Sequence, residues 1–92
     1  MDKSSPKVVM YATPWCGYCA RARQLFAAKG VVYTEIDVDA VDGARAEMRQ
    51  RSGRTSVPQI FFGDRHLGGY DDTKALDDKG ELDRLLAATA AE

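Results

Sequence analysis

The stretch Lys7-Val8-Val9-Met10-Tyr11-Ala12-Thr13-Pro14-Trp15-Cys16-Gly17-Tyr18-Cys19, running on into Ala20 to Lys29, decides the fold of this chain. Val8, Met10 and Ala12 alternate with Val9 and Tyr11, and both sets are mostly apolar, as in a strand covered on two faces. After the cysteines, Ala22, Leu25 and Phe26 recur at helical spacing, with Arg21, Arg23 and Lys29 elsewhere around the helix. Cys16 therefore stands where a strand gives way to a helix. Unpaired backbone N–H groups and the positive end of the macrodipole favour an anion there. The N–H groups of Tyr18 and Cys19 face the Cys16 sulfur, and Cys19, one turn in, is close enough to close a disulfide. An isolated thiol ionises near pH ~8.5, and in such settings the value falls to roughly 3.5–7.5. The pair is a candidate redox centre.

Cys16 and Cys19 are the only cysteines in the chain. A structural zinc ion wants four nitrogen or sulfur ligands, and the one histidine, His66, is distant in sequence. A structural disulfide across two residues constrains little of the unfolded chain. Two inert buried thiols are the remaining alternative, but Gly17 and Tyr18 between them do not look like core filler. A C-x-x-C beside a βαβ pattern is the thioredoxin-like signature.

Working outward, Gly30 ends the first helix. Val31 to Val38 reads as a second strand, with Val32, Thr34, Ile36 and Val38 on one face. Asp39 is placed to cap the next helix, whose apolar stripe is Val41, Ala44 and Met48. A third strand, Val57-Pro58-Gln59-Ile60-Phe61-Phe62, begins at a proline, where a missing N–H is tolerated. Gly63-Asp64 turns it into Arg65-His66-Leu67, with His66 exposed and without metal-ligand spacing to any partner. Gly68-Gly69 breaks that strand. Asp71 or Asp72 caps a last helical region, interrupted at Gly80, with Leu76, Leu82, Leu85 and Leu86 inward. A right-handed crossover makes the first two strands parallel, and the hairpin adds two antiparallel ones. The expected fold is α/β: a four-stranded mixed sheet flanked by helices, in the order βαβαββα.

Ninety-two residues make one domain, 1–92, with residues 1–6 and 88–92 expected to be loose ends. A net charge of −1 gives no reason to expect nucleic acid or an anionic membrane as partner. No apolar run approaches the ~20 residues that span a bilayer, and the N-terminus has no apolar export segment. Free cysteines confined to one C-x-x-C fit a reducing compartment, and a cytoplasmic location is expected.

Three separated segments together resemble the dithiol glutaredoxins, especially the compact bacterial ones. They are Tyr11 to Cys19, Arg51 to Phe61, and Gly68-Gly69-Tyr70-Asp71-Asp72, in the family's order and spacing. The resemblance implies a thioredoxin fold, a cis Val57-Pro58 peptide beside Cys16, and a glutathione-dependent thiol–disulfide oxidoreductase. It implies Cys16 as nucleophile, Cys19 as resolving thiol, and a redox-active Cys16–Cys19 disulfide. Glutathione serves as reductant and co-substrate, and no metal is required. Glutathionylated proteins and disulfides are the implied substrates of an expected monomer, with glutathione reductase and NADPH acting indirectly.

Glutathione carries two carboxylates and one ammonium, so its site must satisfy both signs. The resemblance gives the backbone of Val57, with Pro58, to the cysteinyl portion. Gly69, Tyr70, Asp71 and Asp72 fit the other end, where glycine permits close approach, a helix N-terminus binds a carboxylate, and an aspartate takes the ammonium. One of Asp71 and Asp72 also caps the helix, a role compatible with ligand binding, and the alternative for Pro58 is an ordinary edge-strand proline. Arg45 falls where the family places a contact to the glycyl carboxylate; as an alternative it is surface charge among Arg49, Arg51 and Arg54. Tyr18 flanks the cleft, and Trp15 is either cleft wall or packing.

The chain departs from the commonest family pattern at three positions. Thr13 replaces a lysine that helps hold the thiolate, Gly17 replaces proline, and Tyr70 replaces a third cysteine. Gly17 opens an alternative of another class, a [2Fe–2S] cluster between two protomers, held by Cys16 of each and two glutathione thiolates. The Trp15-Cys16-Gly17 fragment suggests a second alternative, a thioredoxin-like reductant fed by a flavoprotein reductase.

Overall fold

The computed structural model describes residues 8–90, with side chains through residue 87. Eight elements follow one another: β1 (Val8–Ala12), α1 (Gly17–Ala28), β2 (Thr34–Asp37), α2 (Ala44–Ser52), β3 (Gln59–Phe62), β4 (Arg65–Gly68), α3 (Tyr70–Asp78) and α4 (Glu81–Ala90). The strands form one sheet in the order β2-β1-β3-β4. β1 and β2 run parallel with Tyr11 opposite Ile36; β1 and β3 run antiparallel with Met10 opposite Ile60. β4 pairs antiparallel to β3, with an irregularity between Ile60 and Phe61. This is the mixed four-stranded thioredoxin-like sheet expected from the sequence. Its last helical region is split where Gly80 turns the chain at φ +78°.

Alternation along β1 sends its side chains into two cores. Val8, Met10 and Ala12 pack with Ile60 and Phe62 against Cys19, Ala22 and Phe26 of α1 and Leu82 of α4. Leu25, Leu76, Leu85 and Leu86 border that cluster. Tyr11 and Phe61 point the other way, onto Val38, Ala44 and Met48. Burying each large apolar side chain contributes about 1.5–3 kcal/mol. Met10 and Phe26, both wholly buried, thus fasten α1 to β1. Among the described residues no helix is long and apolar enough to cross a membrane. The expected loose ends at residues 1–6 and 91–92 lie outside the described residues; α4 keeps a helical backbone through Ala90.

Three local expectations are corrected, and the capping role expected of Asp71 or Asp72 falls to Asp72. β2 starts at Thr34 rather than Val31, because α1 closes with a Schellman-type pattern. Val31 N–H donates to Phe26 O at 2.9 Å and Gly30 N–H to Ala27 O at 3.2 Å, so the chain is still engaged with the helix and Val32 is left 86% exposed. α2 starts at Ala44 after a left-handed Gly43, and Asp39 does not cap it. Asp37 instead closes the preceding turn by accepting from the N–H groups of Asp39 and Ala40, and Val41 stays exposed. The residue at the N-cap of α3 is Gly69; Asp72, in the first turn, reaches back to accept its N–H at 3.0 Å. His66 is half-buried rather than exposed, stacked on Phe61 with ring centroids 4.8 Å apart.

Candidate active site

Cys16 occupies the N-cap of α1 in an extended conformation. Its sulfur accepts the Cys19 N–H at 3.4 Å, and its thiol donates to Val57 O at 3.7 Å across the gap to the loop before β3. Burial pushes the Cys16 thiol up, but the N–H groups of Cys19 and Tyr18, the Cys19 thiol and the positive charge of Arg23 outweigh it. The net result is a pKa below that of an ordinary cysteine. Cys19 lies wholly inside the first core. Burial, aided by the adjacent Cys16, raises its pKa to about 11. Two thiols one helical turn apart are thus prepared for different roles, one easier to ionise at the cleft and one held protonated beneath it.

Arg23 was not among the expected site residues. From the second turn of α1 it donates to both carboxylate oxygens of Glu35 on β2, and its Nη2 holds Thr13 O at 3.0 Å. It thereby braces the loop leading to Cys16 while lending charge to the thiolate. A cation on α1 stands in for part of the charge that Thr13, in place of lysine, does not provide.

The Val57-Pro58 peptide is cis, and its loop forms one wall of a cleft of about 270 Å³. Tyr18 from α1, the start of α3 (Gly69 to Asp72) and Arg54 also line it. The glycine pair makes this approach possible. A Cβ on Gly69 would stand 3.3 Å from Pro58 O; one on Gly68, where φ is +111°, would stand 2.3 Å from the Asp72 carboxylate. Asp72 holds Arg54 Nη1 at 2.8 Å. That arginine and the Gly69 N–H hold the Asp72 carboxyl below the usual range. The cleft rim therefore offers helix-terminal N–H groups for a carboxylate, two aspartates for an ammonium, and a guanidinium for a second carboxylate.

The fold brings Tyr18, Val57, Pro58, Gly69, Tyr70, Asp71 and Asp72 to this one cleft, with Cys16 against Val57. Arg45 is not among the lining residues. Its guanidinium is engaged by Asp39 at 2.7 Å, and the arginine at the cleft is Arg54. Arg45 lies in the first turn of α2, where Asp39 of the preceding loop holds it. Ser56 and Gln59 also line the cleft and were not anticipated. Trp15 is 93% exposed and packs into neither core, and around Gly17 a Cβ would meet open space.

Comparison with known proteins agrees with this architecture. A family model described as Glutaredoxin matches residues 8–67. A glutaredoxin of Pseudomonas aeruginosa is 51% identical over 83 residues, 90% of this chain and 99% of its own. Glutaredoxin 3 of Escherichia coli K12 is 49% identical over 79 residues, 86% of this chain and 95% of its own. Among solved structures, a buckwheat glutaredoxin–glutathione complex superimposes with a TM-score of 0.85 at 31% identity, covering 96% of this chain and 83% of that one. The solution structure of a Brucella melitensis glutaredoxin is similar at 0.79 and 48% identity, covering 100% of this chain and 98% of that one.

Proposed function

The chain belongs to the glutaredoxin family of thiol–disulfide oxidoreductases, and from that premise we propose that its co-substrate is glutathione and its centre the dithiol Cys16-Gly17-Tyr18-Cys19. The observation that carries this reading is one cleft that joins the Val57 wall beside Cys16 to the acidic start of α3. In a glutathione mixed disulfide, the Cys16 thiolate attacks the glutathione sulfur. The S–S bond breaks, the departing thiolate takes a proton from water, and Cys16–glutathione remains. A second glutathione thiolate then attacks that disulfide, releasing oxidised glutathione and restoring the Cys16 thiolate. Val57 backbone and Pro58 hold the cysteinyl portion, Gly69 to Asp72 the γ-glutamyl end, and Arg54 rather than Arg45 takes the glycyl carboxylate.

Protein disulfides follow a second branch. Cys16 attacks, forming a mixed disulfide with the protein, and Cys19 then displaces the product thiol by closing the Cys16–Cys19 bond. Cys19 is held near pKa 11 by burial and also by the neighbouring Cys16 thiol. Once Cys16 is bonded to a substrate sulfur it carries neither charge nor proton, and that second contribution disappears. The resolving thiol thus becomes easier to ionise only after the first attack has occurred. Two glutathiones reduce the closed disulfide again. Reduction potentials typical of the class, about −200 to −230 mV, suit exchange with a glutathione pool.

The test is a coupled assay on a glutathionylated peptide, with glutathione and glutathione reductase in one arm and thioredoxin reductase in the other. Turnover only in the first arm is expected; turnover only in the second would replace this reading with a thioredoxin-like one. A second reading rests on the open space at Gly17. It leaves room beside Cys16 for a [2Fe–2S] cluster shared by two protomers. Among the described residues no three His, Cys, Asp or Glu side chains gather as a metal site, so one chain alone would give only its Cys16 thiolate. Visible absorbance after anaerobic purification with glutathione would support that capacity, and failed reconstitution would remove it.

A further inference from the structure

We infer that His66 is a positioning residue for the cleft, acting through the buried Gln59 to pin the Ser56–Val57 loop against Cys16; this extends the proposal that the cleft takes glutathione. Gln59 is wholly buried, and its amide is fully used. Nε2 donates to Ser56 O at 3.0 Å and to Ser56 Oγ at 3.3 Å, while Oε1 meets His66 Nε2 at 2.7 Å. Only the NH2 end of an amide can face a carbonyl oxygen, so Oε1 is the acceptor and His66 Nε2 must carry the proton.

The imidazole is itself held in place. It stacks on Phe61 at 28° between ring planes, and the Arg51 guanidinium covers that phenylalanine 4.1 Å from its centroid. A chain of contacts thus runs from β4 through His66 and Gln59 to Ser56, the residue before the Val57 whose carbonyl faces the Cys16 thiol at 3.7 Å. Without the imidazole donor, Gln59 Oε1 is left buried and unpaired, and the amide gains by rotating away from Ser56. The loop that Val57 presents to a ligand then loses its side-chain anchor, while the helix-terminal donors to Cys16 are untouched. His66 is therefore expected to act on ligand binding rather than on the nucleophile.

The experiment compares the full-length protein with His66→Phe, which keeps the ring stack and removes the donor, and His66→Gln, which restores an N–H donor. Backbone hydrogen exchange at Ser56 and Val57, the KM for a glutathionylated peptide, kcat, and the pH profile of Cys16 alkylation are measured on each. His66→Phe is expected to speed exchange at both amides and to raise KM about fivefold, the scale of one ordinary hydrogen bond. Its kcat and alkylation profile should stay unchanged, and His66→Gln should return exchange and KM toward the starting values. Unchanged exchange and KM in His66→Phe would overturn the inference. So would equal impairment of both variants with kcat falling alongside, which marks a structural role only. If the unsubstituted protein failed to turn over the peptide, the glutathione proposal would fall, and the exchange rates would still decide the pin.

Discussion

The rim of the first turn of α1 and the floor beneath it carry the same functional group and make opposite use of it. At the rim, Cys16 ends a loop, accepts a backbone N–H, and touches the opposite wall of the cleft. On the floor, Cys19 belongs to the core with Ala22 and Phe26. Helix geometry places N–H donors around the first sulfur and hydrocarbon around the second. The spacing of two residues gives one strand-to-helix junction two unlike thiols, which the proposed function uses as nucleophile and reserve. Sequence neighbours are not equivalent sites when a helix terminus lies between them.

Removing each thiol in turn breaks the comparison most severely. Cys16→Ser should abolish exchange with every disulfide, a loss of three orders of magnitude or more on the scale typical of an essential catalytic group. Cys19→Ser should keep reduction of glutathione mixed disulfides and lose reduction of protein disulfides, as read by the coupled assay on each substrate. If Cys19→Ser were as inactive as Cys16→Ser, the floor would share the rim's role and the contrast would vanish.

Titration sharpens the same contrast. Alkylation follows the thiolate, so in Cys19→Ser the rate at Cys16 should reach half its maximum below the pH of an ordinary cysteine. In Cys16→Ser the rate at Cys19 should still rise only above the ordinary range. Its midpoint should lie somewhat under the value near 11, because burial persists while the neighbouring thiol is gone. Arg23→Gln should move the Cys16 midpoint upward, since one of the charges that lowers it is removed. A midpoint unmoved in Arg23→Gln would assign the lowered pKa to the helix-terminal N–H groups and the Cys19 thiol.

The glycine pair gives the next effect. Gly68→Ala should destabilise the fold by roughly 1–3 kcal/mol, the cost of a strained left-handed residue, and its Cβ would also displace Asp72. Gly69→Ala, meeting only Pro58 O at 3.3 Å, should cost less stability and act mainly by narrowing the cleft. Thermal melts and KM separate the two. The smallest effect distinguishes the arginines. Arg54→Ala should raise the KM for a glutathionylated peptide a few-fold. Arg45→Ala should leave KM unchanged, since it loses only an exposed ion pair worth about 0–1 kcal/mol.

What the sequence made legible follows this division between local and tertiary causes. The Cys16 N-cap, the strand entry at Val57-Pro58 and the break at Gly68-Gly69 are written in local backbone chemistry, and all lie where their residue types require. Burial of β1 on both faces was equally readable from its alternation. The displaced start of α2 was not, because Asp37 closes the turn through two N–H groups that a reading centred on Asp39 overlooked. Arg23 and His66 escaped notice for a related reason. Of their partners, Glu35 lies on β2, against which α1 packs, and Gln59 on β3 beside β4, and only tertiary packing brings each pair together. A clue to Arg23 existed in its position two turns from Cys16, on the helix whose terminus the thiolate uses.

The most direct test of the rim as a glutathione-specific nucleophile uses Cys19→Ser and intact-mass spectrometry. The reduced variant is mixed with oxidised glutathione, then separated from it and exposed to reduced glutathione. One glutathione should add at Cys16 and be discharged by the second step, leaving the free protein. No adduct, or an adduct that reduced glutathione fails to remove, would contradict the account.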